Sequence, residues 1–206
     1  ADPRIGREML WAGLGFGDSC LQKDSSALIS AAEDHGLSVP LVEAAMEIND
    51  QQRALPAKYV EQLLGNQARD KKVAILGLSN EPVSDDMRAA PSIPIVNSLV
   101  NIVGEVATWD PLLEMNVQEE LFPDVARYVT IADAVSGSDI VIVVTEYEEL
   151  IHADWEGLAS TMTGLKVLID GRNCIPREVT ELQSLRYIGV GRKRVIDLDE
   201  LISSSK

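Results

Sequence analysis

A cysteine, a lysine and an aspartate follow a glycine-rich segment within a few residues of one another. Residues 10–20 read LWAGLGFGDSC, and Lys23 and Asp24 come soon after Cys20. Asp24 has helix N-cap chemistry, so we expect the thiol just before a helix, where the helix dipole and an ammonium favour the thiolate. A thiolate attacks carbonyl carbon, and a nearby carboxylate can orient or deprotonate water. The same spacing also fits a buried structural cysteine beside a capping aspartate.

An arginine occupies a second position that could bind a ligand. Arg172 lies in LIDGRNC, directly after the β-rich run 167–170. Ligands of open α/β sheets bind at the carboxyl edge of the strands, which is where this arginine is predicted. A surface arginine after a turn is the alternative interpretation. Asp86 and Arg88 follow the first β-rich run at a similar edge, although a solvated charge cluster is the usual reason for such a run.

The first strand and turn do not have the pattern of a dinucleotide site. The segment reads VAILGLSNEPVSDDMR, in which Gly77 is the only glycine. The GxGxxG fingerprint brings a backbone turn close to a pyrophosphate and needs all three glycines. The sheet that begins here is therefore expected to bind another ligand or none.

The elements that must position these residues divide the chain into two predicted regions. Apolar spacing predicts a helix over 25–35 and a long helix from Pro40 to Gly65, which Pro56 should kink or divide. From residue 73 onward helical patterns alternate with β-rich runs, at 73–78, 106–109, 128–131, 140–145, 167–170 and 187–190. Runs such as DIVIVVT are apolar on both faces. The predicted fold is α/β: a helical N-terminal segment with a long central helix, then a Rossmann-like doubly wound parallel sheet. The predicted domains are 1–68 and 69–206.

Composition narrows the classes of partner. A net charge of −15 and a pI near 4.5 oppose binding to nucleic acid or to anionic membrane surfaces. Cys20 and Cys174 form no CxxC pair, so neither a zinc site nor a disulfide scaffold is indicated, and a cytoplasmic location is expected. No apolar run approaches the roughly 20 residues that span a bilayer. The start at Ala1 indicates a processed, truncated or recombinant chain.

Seven blocks in a fixed order resemble one enzyme family. They are DPRIG, GLGFGDSCLQKD, AILGLSNEPVSDDMRAAP, TWDP, VIVVTEY, IDGRN and YIGVGR. Their types and order resemble the UDP-glucose/GDP-mannose dehydrogenase family from Asp2 to about Arg192. The GFG-x-SC-x-x-KD form is more similar to the UDP-glucose branch than to the branch that oxidises UDP-N-acetylmannosamine.

The resemblance implies a two-step oxidation of a sugar C6 alcohol to a carboxylate. Two NAD molecules accept the hydrides, and a thiohemiacetal and a thioester form on a cysteine that corresponds to Cys20. Asp24 matches an aspartate that helps to activate water, and Lys23 matches a lysine that supports the site electrostatically. The remaining matched positions bind ligands in the family. Phe16, Gly17 and Ser19 match the loop that folds over the sugar nucleotide, and Arg172 matches an arginine that holds the nucleotide-sugar. Ser19 and Arg88 match residues near NAD, and Arg4 matches an arginine that reaches the site of a neighbouring subunit.

The resemblance also implies partners. The long helix resembles the central helix through which the family dimerises, and the α/β region resembles the UDP-binding domain, so a nucleotide-sugar and a second copy of the chain are the expected partners. The N-terminal NAD-binding domain of the family has no counterpart in this sequence, so the chain alone is not expected to turn over.

Two departures keep other functions open. Asp18 stands where the family usually has a second glycine, and Asn80 and Glu81 replace its Phe-Lys pair. A carboxylate beside a thiolate or a phosphate is unfavourable. These departures leave open a catalytically degenerate module that binds nucleotide-sugars or supports assembly. Leu21, directly after Cys20, also resembles GDP-mannose enzymes, so a GDP-mannose 6-dehydrogenase is the other alternative.

Overall fold

The secondary structure comes from a computed structural model, which describes Gly6, residues 10–17 and residues 19–192. The helices are α1 (Ser19–Asp34), α2 (Pro40–Arg53), α3 (Leu55–Leu64), α4 (Ser92–Leu99), α5 (Met115–Leu121), α6 (Ile131–Val135), α7 (Glu148–Ile151), α8 (Trp155–Thr161) and α9 (Arg177–Thr180), with a 3-10 segment at Gly65–Asp70. The strands are β1 (Lys72–Leu76), β2 (Glu105–Trp109), β3 (Ala126–Arg127), β4 (Ile140–Val143), β5 (Val167–Asp170) and β6 (Arg186–Gly189).

The six strands form one parallel sheet in the order β3-β2-β1-β4-β5-β6. In the register, Val73 of β1 lies opposite Val106 of β2 and Ile140 of β4. The chain runs outward from β1 to one edge and then returns to build the other half from β4, which makes β1 and β4 the switch point of the sheet. The predicted doubly wound fold is confirmed.

Helices cover both faces of the sheet, which explains why its strands are apolar throughout. Val73 and Ile75 of β1 pack in the core that includes α3 and α4. Ala74 and Leu76, which point the other way, pack in the core that includes α6 and α8. Because successive strand residues face opposite sides, burial of both faces requires a continuous apolar run.

One predicted helix is divided near Pro56, as expected, and another begins earlier than predicted. The long helix divides at Ala54 into α2 and α3, and Pro56 lies in the first turn of α3, where its missing N–H costs nothing. Helix α1 begins at Ser19 and not at residue 25. Residues 21–23 are good helix formers, so the helix extends back to the end of the glycine-rich segment. Asp24 lies in the second turn, and its predicted role as N-cap is wrong.

The third strand was predicted too late in the sequence. The predicted strand 128–131 is wrong, because β3 comprises Ala126 and Arg127. Thr130 instead caps α6, since its Oγ1 accepts a hydrogen bond of 3.1 Å from the backbone N–H of Asp133. A β-branched residue that can cap a helix carries both signals, and capping prevails here. In the part of the chain that the structure describes, none of the helices combines the length and apolarity that crossing a membrane requires.

Candidate functional site

Arg172 lies at the carboxyl edge of β5, as predicted. Its Nε and Nη2 donate hydrogen bonds of 2.5 Å each to the two carboxylate oxygens of Glu146, which follows β4. The backbone N–H of Arg172 donates to Asp170 Oδ1 at 3.1 Å. A two-point contact orients the guanidinium more strictly than a single hydrogen bond does, so its plane is held at the mouth of the sheet.

The segment 10–17, here called the glycine loop, packs directly on the turn that carries Arg172. Leu14 is 1% exposed, and a Cβ added to Gly171 would lie 2.6 Å from Leu14 Cγ. A Cβ added to Gly13 would lie 3.5 Å from Arg172 Nη1. The loop therefore contacts the arginine through its backbone, and residue 171 must lack a side chain.

The far end of the glycine loop contacts the segment that follows β1. A Cβ on Gly17 would clash with Asn80 Oδ1 and would lie 3.0 Å from the carbonyl oxygen of Ala89. The glycine loop thus extends from the turn after β5 to the segment after β1, across the switch-point edge of the sheet.

Cys20 is the second residue of α1 and is exposed. It follows Gly17 by three residues, which span at most about 10 Å. Asp24 lies one turn later on the same helix face as Cys20, and its carboxylate is 3.9 Å from Lys23 Nζ with both side chains exposed. The exposure of Cys20 contradicts the alternative of a buried structural cysteine. The three predicted catalytic residues, Cys20, Lys23 and Asp24, thus lie within about one and a half turns of α1, and all three are exposed.

The side chain of Arg88 pairs with a nearby carboxylate. Its side chain donates three hydrogen bonds of 2.7 to 3.1 Å to the carboxylate of Asp86. These bonds and the backbone N–H of Arg88 lower the pKa of the Asp86 carboxyl to about 2. The pair remains ionised at neutral pH, and Asp86 orients the Arg88 guanidinium while offsetting part of its charge, as Glu146 does for Arg172.

Buried polar groups fill the crevice at the switch point. Asp110, at the end of β2, accepts hydrogen bonds from the backbone N–H groups of Leu78 and Ser79 at 2.7 and 3.0 Å. Tyr147, after β4, donates to the same carboxylate and contacts the Ser79 hydroxyl. Burial, together with the charge of Asp110, raises the pKa of the Tyr147 phenol. The position where a dinucleotide would enter this sheet is occupied by these side chains.

A second buried carboxylate shapes the turn after β5. Asp170 accepts hydrogen bonds from the backbone N–H of Ile175 and from the Tyr187 hydroxyl, each at 2.9 Å. Cys174 Sγ lies 3.8 Å from Asp170 Oδ1. Burial, followed by the charges of Asp170 and Glu146, raises the pKa of the Cys174 thiol to about 12. Within the described residues, no cluster of His, Cys, Asp and Glu could hold a metal ion.

Two site residues were missed from the sequence. Asn49 in α2 is 3% exposed and pairs with the backbone of Phe16, and Glu146 holds Arg172. The one available signal for Asn49 was an amide within an apolar helical pattern, whereas Glu146 followed a strand at the binding edge. The predicted residue Arg4 and the departure Asp18 lie outside the described residues, and Ser19 is described only as the first residue of α1.

Comparison with known proteins adds sequence and structural relatives. Residues 74–177 match the UDP binding domain of the UDP-glucose/GDP-mannose dehydrogenase family, and residues 1–51 match its central domain. A UDP-glucose 6-dehydrogenase of Rhizobium meliloti is 35% identical over 194 residues, which cover 93% of this chain and 43% of the relative. This chain therefore spans less than half of that relative.

Solved structures agree with the sequence relatives. A UDP-glucose dehydrogenase of Pyrobaculum islandicum is 28% identical with a TM-score of 0.76, over 92% of this chain and 40% of that protein. A UDP-D-ManNAc dehydrogenase of Pyrococcus horikoshii is also 28% identical, with a TM-score of 0.73, over 87% of this chain and 40% of that protein. The backbone is thus shared by enzymes named for different sugars.

Proposed function

This chain belongs to the UDP-glucose/GDP-mannose dehydrogenase family, and from that premise we propose that it forms the nucleophile-bearing and nucleotide-binding part of an NAD-dependent UDP-glucose 6-dehydrogenase. One observation carries the proposal. The glycine loop that packs against the Arg172 turn leads directly into an exposed cysteine at the start of α1. A nucleotide-sugar that contacts Arg172 through its phosphates could therefore extend its sugar toward Cys20.

In this proposal Cys20 carries the sugar through the second oxidation. Its thiolate adds to the C6 aldehyde to give a thiohemiacetal, loss of a hydride gives a thioester, and water releases the carboxylate and regenerates the thiol. Asp24, one helical turn away, orients that water, and the Lys23 ammonium favours the anionic states. Arg172, already oriented by Glu146, binds the diphosphate.

The turn after β1 lacks the glycine pattern of a dinucleotide fingerprint. The turn after β1 contains Gly77 alone, the crevice beside it is occupied by Asp110 and Tyr147, and Arg88 is engaged by Asp86. The reaction needs two hydride acceptors, so we propose that NAD binds outside the described residues. On this proposal the chain by itself does not turn over.

A homodimer is part of the proposal, because the N-terminal helices expose apolar side chains. Leu41 and Ile48 of α2 are 87% and 59% exposed. Exposed side chains of this size along one helix are typical of an interface. Analytical ultracentrifugation tests it: a dimer is expected for the native chain and a monomer for Leu41→Glu combined with Ile48→Glu. A native monomer would contradict this part of the proposal.

The relatives named above support a UDP-linked sugar over GDP-mannose. Calorimetry on the chain should therefore detect binding of UDP-glucose at millimolar concentration and weaker binding of GDP-mannose. If neither nucleotide-sugar binds, the proposed function is wrong. If GDP-mannose binds more tightly, the alternative substrate takes its place.

A catalytically degenerate binding module is the second candidate, and Glu81 favours it. This exposed acid occupies the position of a family lysine and opposes an anionic substrate. The two functions predict different turnover for a version of the chain that is extended by a nicotinamide-binding domain. The enzyme should reduce NAD with UDP-glucose and lose this activity in Cys20→Ser, whereas the module should bind UDP-glucose without reducing NAD.

A further inference from the structure

We infer that Asn49 is a positioning residue for Cys20, a role that rests on the proposed function of that cysteine. Asn49 lies on α2 and contacts the glycine loop through both ends of its side-chain amide. Its Oδ1 accepts a hydrogen bond of 2.7 Å from the backbone N–H of Phe16, and its Nδ2 donates one of 3.1 Å to the carbonyl of Phe16. The side chain thus pairs with the loop as a neighbouring strand would.

The location of Asn49 indicates that its side chain serves to hold the backbone of Phe16. It is 3% exposed in the middle of a helix, where asparagine has poor propensity and where a buried amide without partners is costly. A Cβ on Gly15, which has a φ of 82°, would lie 2.5 Å from Asn49 Oδ1. The glycine allows the loop backbone to approach the amide closely enough to form both hydrogen bonds.

Two further side chains on the same face of α2 extend the contact. Gln52 Nε2 donates to the carbonyl of Gly13 at 3.4 Å. Arg53 Nη2 donates to the carbonyls of Ala89 and Ala90 at 3.0 and 3.1 Å, in a setting whose burial lowers the pKa of the guanidinium. Helix α2 therefore holds the glycine loop and the segment after β1 in one arrangement.

The position of Cys20 depends on this arrangement because α1 otherwise packs mainly on α2. From Cys20 to Asp34, none of the side chains in α1 is fully buried. The core thus does little to fix the start of α1, and the loop that precedes it must do so. Asn49 acts on the nucleophile through Phe16, four residues before Cys20.

Two variants test this role in the chain as it stands. Asn49→Asp keeps the acceptor for the Phe16 N–H. It replaces the donor to the Phe16 carbonyl by a carboxylate oxygen, which can only accept. Gly15→Ala disturbs the same contact from the loop side. Gln51→Ala is the control, since Gln51 is exposed on the same helix and pairs only with Glu47 among the described residues.

The first measurement is the rate at which iodoacetamide alkylates Cys20, followed by peptide mass. In Asn49→Asp and in Gly15→Ala this rate should change at least about threefold, the effect of roughly one lost hydrogen bond, while the control keeps the native rate. Cys174, partly buried in the turn after β5, should remain protected in all of them and so shows that the fold is intact.

The second measurement is UDP-glucose affinity, which should fall about tenfold in both variants, as expected for a lost hydrogen bond plus an unpaired buried group. A double variant, Asn49→Ala with Gly15→Ala, should be less impaired than the sum of the separately measured Asn49→Ala and Gly15→Ala effects, because the alanine at 49 removes the clashing oxygen. Native alkylation rates and affinity in Asn49→Asp, or strict additivity in the double variant, would overturn the role of Asn49. Failure of the native chain to bind UDP-glucose would instead count against the proposed function. In that case the alkylation rates alone decide whether Asn49 positions Cys20.

Discussion

Arg172 and Glu146 form a two-point ion pair across neighbouring strands, with Nε and Nη2 of the arginine each 2.5 Å from a carboxylate oxygen. Both side chains are about 30% exposed. Glu146 thereby fixes the direction of the guanidinium, and a Cβ on Gly13 would lie 3.5 Å from the remaining nitrogen, Nη1. The arginine is oriented before any ligand arrives.

Arg172→Ala should weaken UDP-glucose binding by about 10-fold to 100-fold, the effect of a lost hydrogen bond to a charged group. Arg172→Lys should lose a similar amount, because an ammonium cannot make the two-point contact with Glu146 that orients the charge. Calorimetry measures both. Arg177→Ala is the control, since Arg177 is exposed and pairs with Glu181; equal losses in Arg177→Ala and Arg172→Ala would contradict the assignment.

Two glycines of the same loop should respond differently to alanine. A Cβ on Gly17 meets Asn80 Oδ1 and the Ala89 carbonyl, whereas a Cβ on Gly13 finds ordinary contacts at 3.5 Å or more. Gly17→Ala should weaken UDP-glucose binding about tenfold, and Gly13→Ala should stay within about twofold, since only the first displaces backbone. The order of the two affinities is the decisive result, and its reversal would contradict the described path of the loop.

Asp110→Asn should destabilise the sheet, although it only replaces one carboxylate oxygen by an NH₂ group. Both carboxylate oxygens accept from backbone N–H groups: Oδ2 from Leu78 and Ser79, and Oδ1 from Leu112 and Leu113. Whichever way the amide turns, its NH₂ faces N–H donors, so the free energy of unfolding should fall by about 3 kcal/mol. Urea unfolding measures this, with the exposed Asp85→Asn as control. A loss below that of Asp85→Asn would exclude Asp110 as the organiser of the turn.

Alkaline pH should destabilise the chain through Cys174. The unfolded chain releases this thiol proton near pH 8.5, roughly the ordinary thiol value. The folded chain holds it until about pH 12, because burial raises the pKa. The folded state therefore binds more protons in that window, and the free energy of unfolding falls as pH rises, by less than about 1.4 kcal/mol per pH unit.

Cys174→Ser isolates that effect, because serine keeps the donor to Asp170 and does not titrate. Urea unfolding at pH 7.5, 9 and 10 should show a shallower decline for the variant than for the native chain. Above pH 10 the raised pKa values of Tyr147 and Tyr187 add a decline of the same sign in both proteins. Parallel declines below pH 10 would argue against a retained thiol proton.

The sequence was sufficient for the parallel sheet, the break in the long helix and the edge position of Arg172. Continuous apolar runs such as residues 140–144 indicate strands buried on both faces. A proline is tolerated in the first turn of a helix but not in its interior, so Pro56 indicates a break in the long helix. These features follow from local rules. The boundaries of α1 and β3 were predicted incorrectly, because Asp24 and Thr130 carry capping and strand signals that only the completed structure resolves.

The sequence by itself indicated which residues could do chemistry: a thiol after a glycine-rich segment, a carboxylate four residues later and an arginine after a strand. Only the tertiary structure decided how they are held. Asn49 and Glu146 lie 33 and 26 positions from their partners Phe16 and Arg172. Asp110 and Tyr147, which meet in the crevice of the sheet, lie 37 positions apart. The physical reason is that a hydrogen bond between such remote residues depends on how separate elements pack, which no local pattern of side chains specifies.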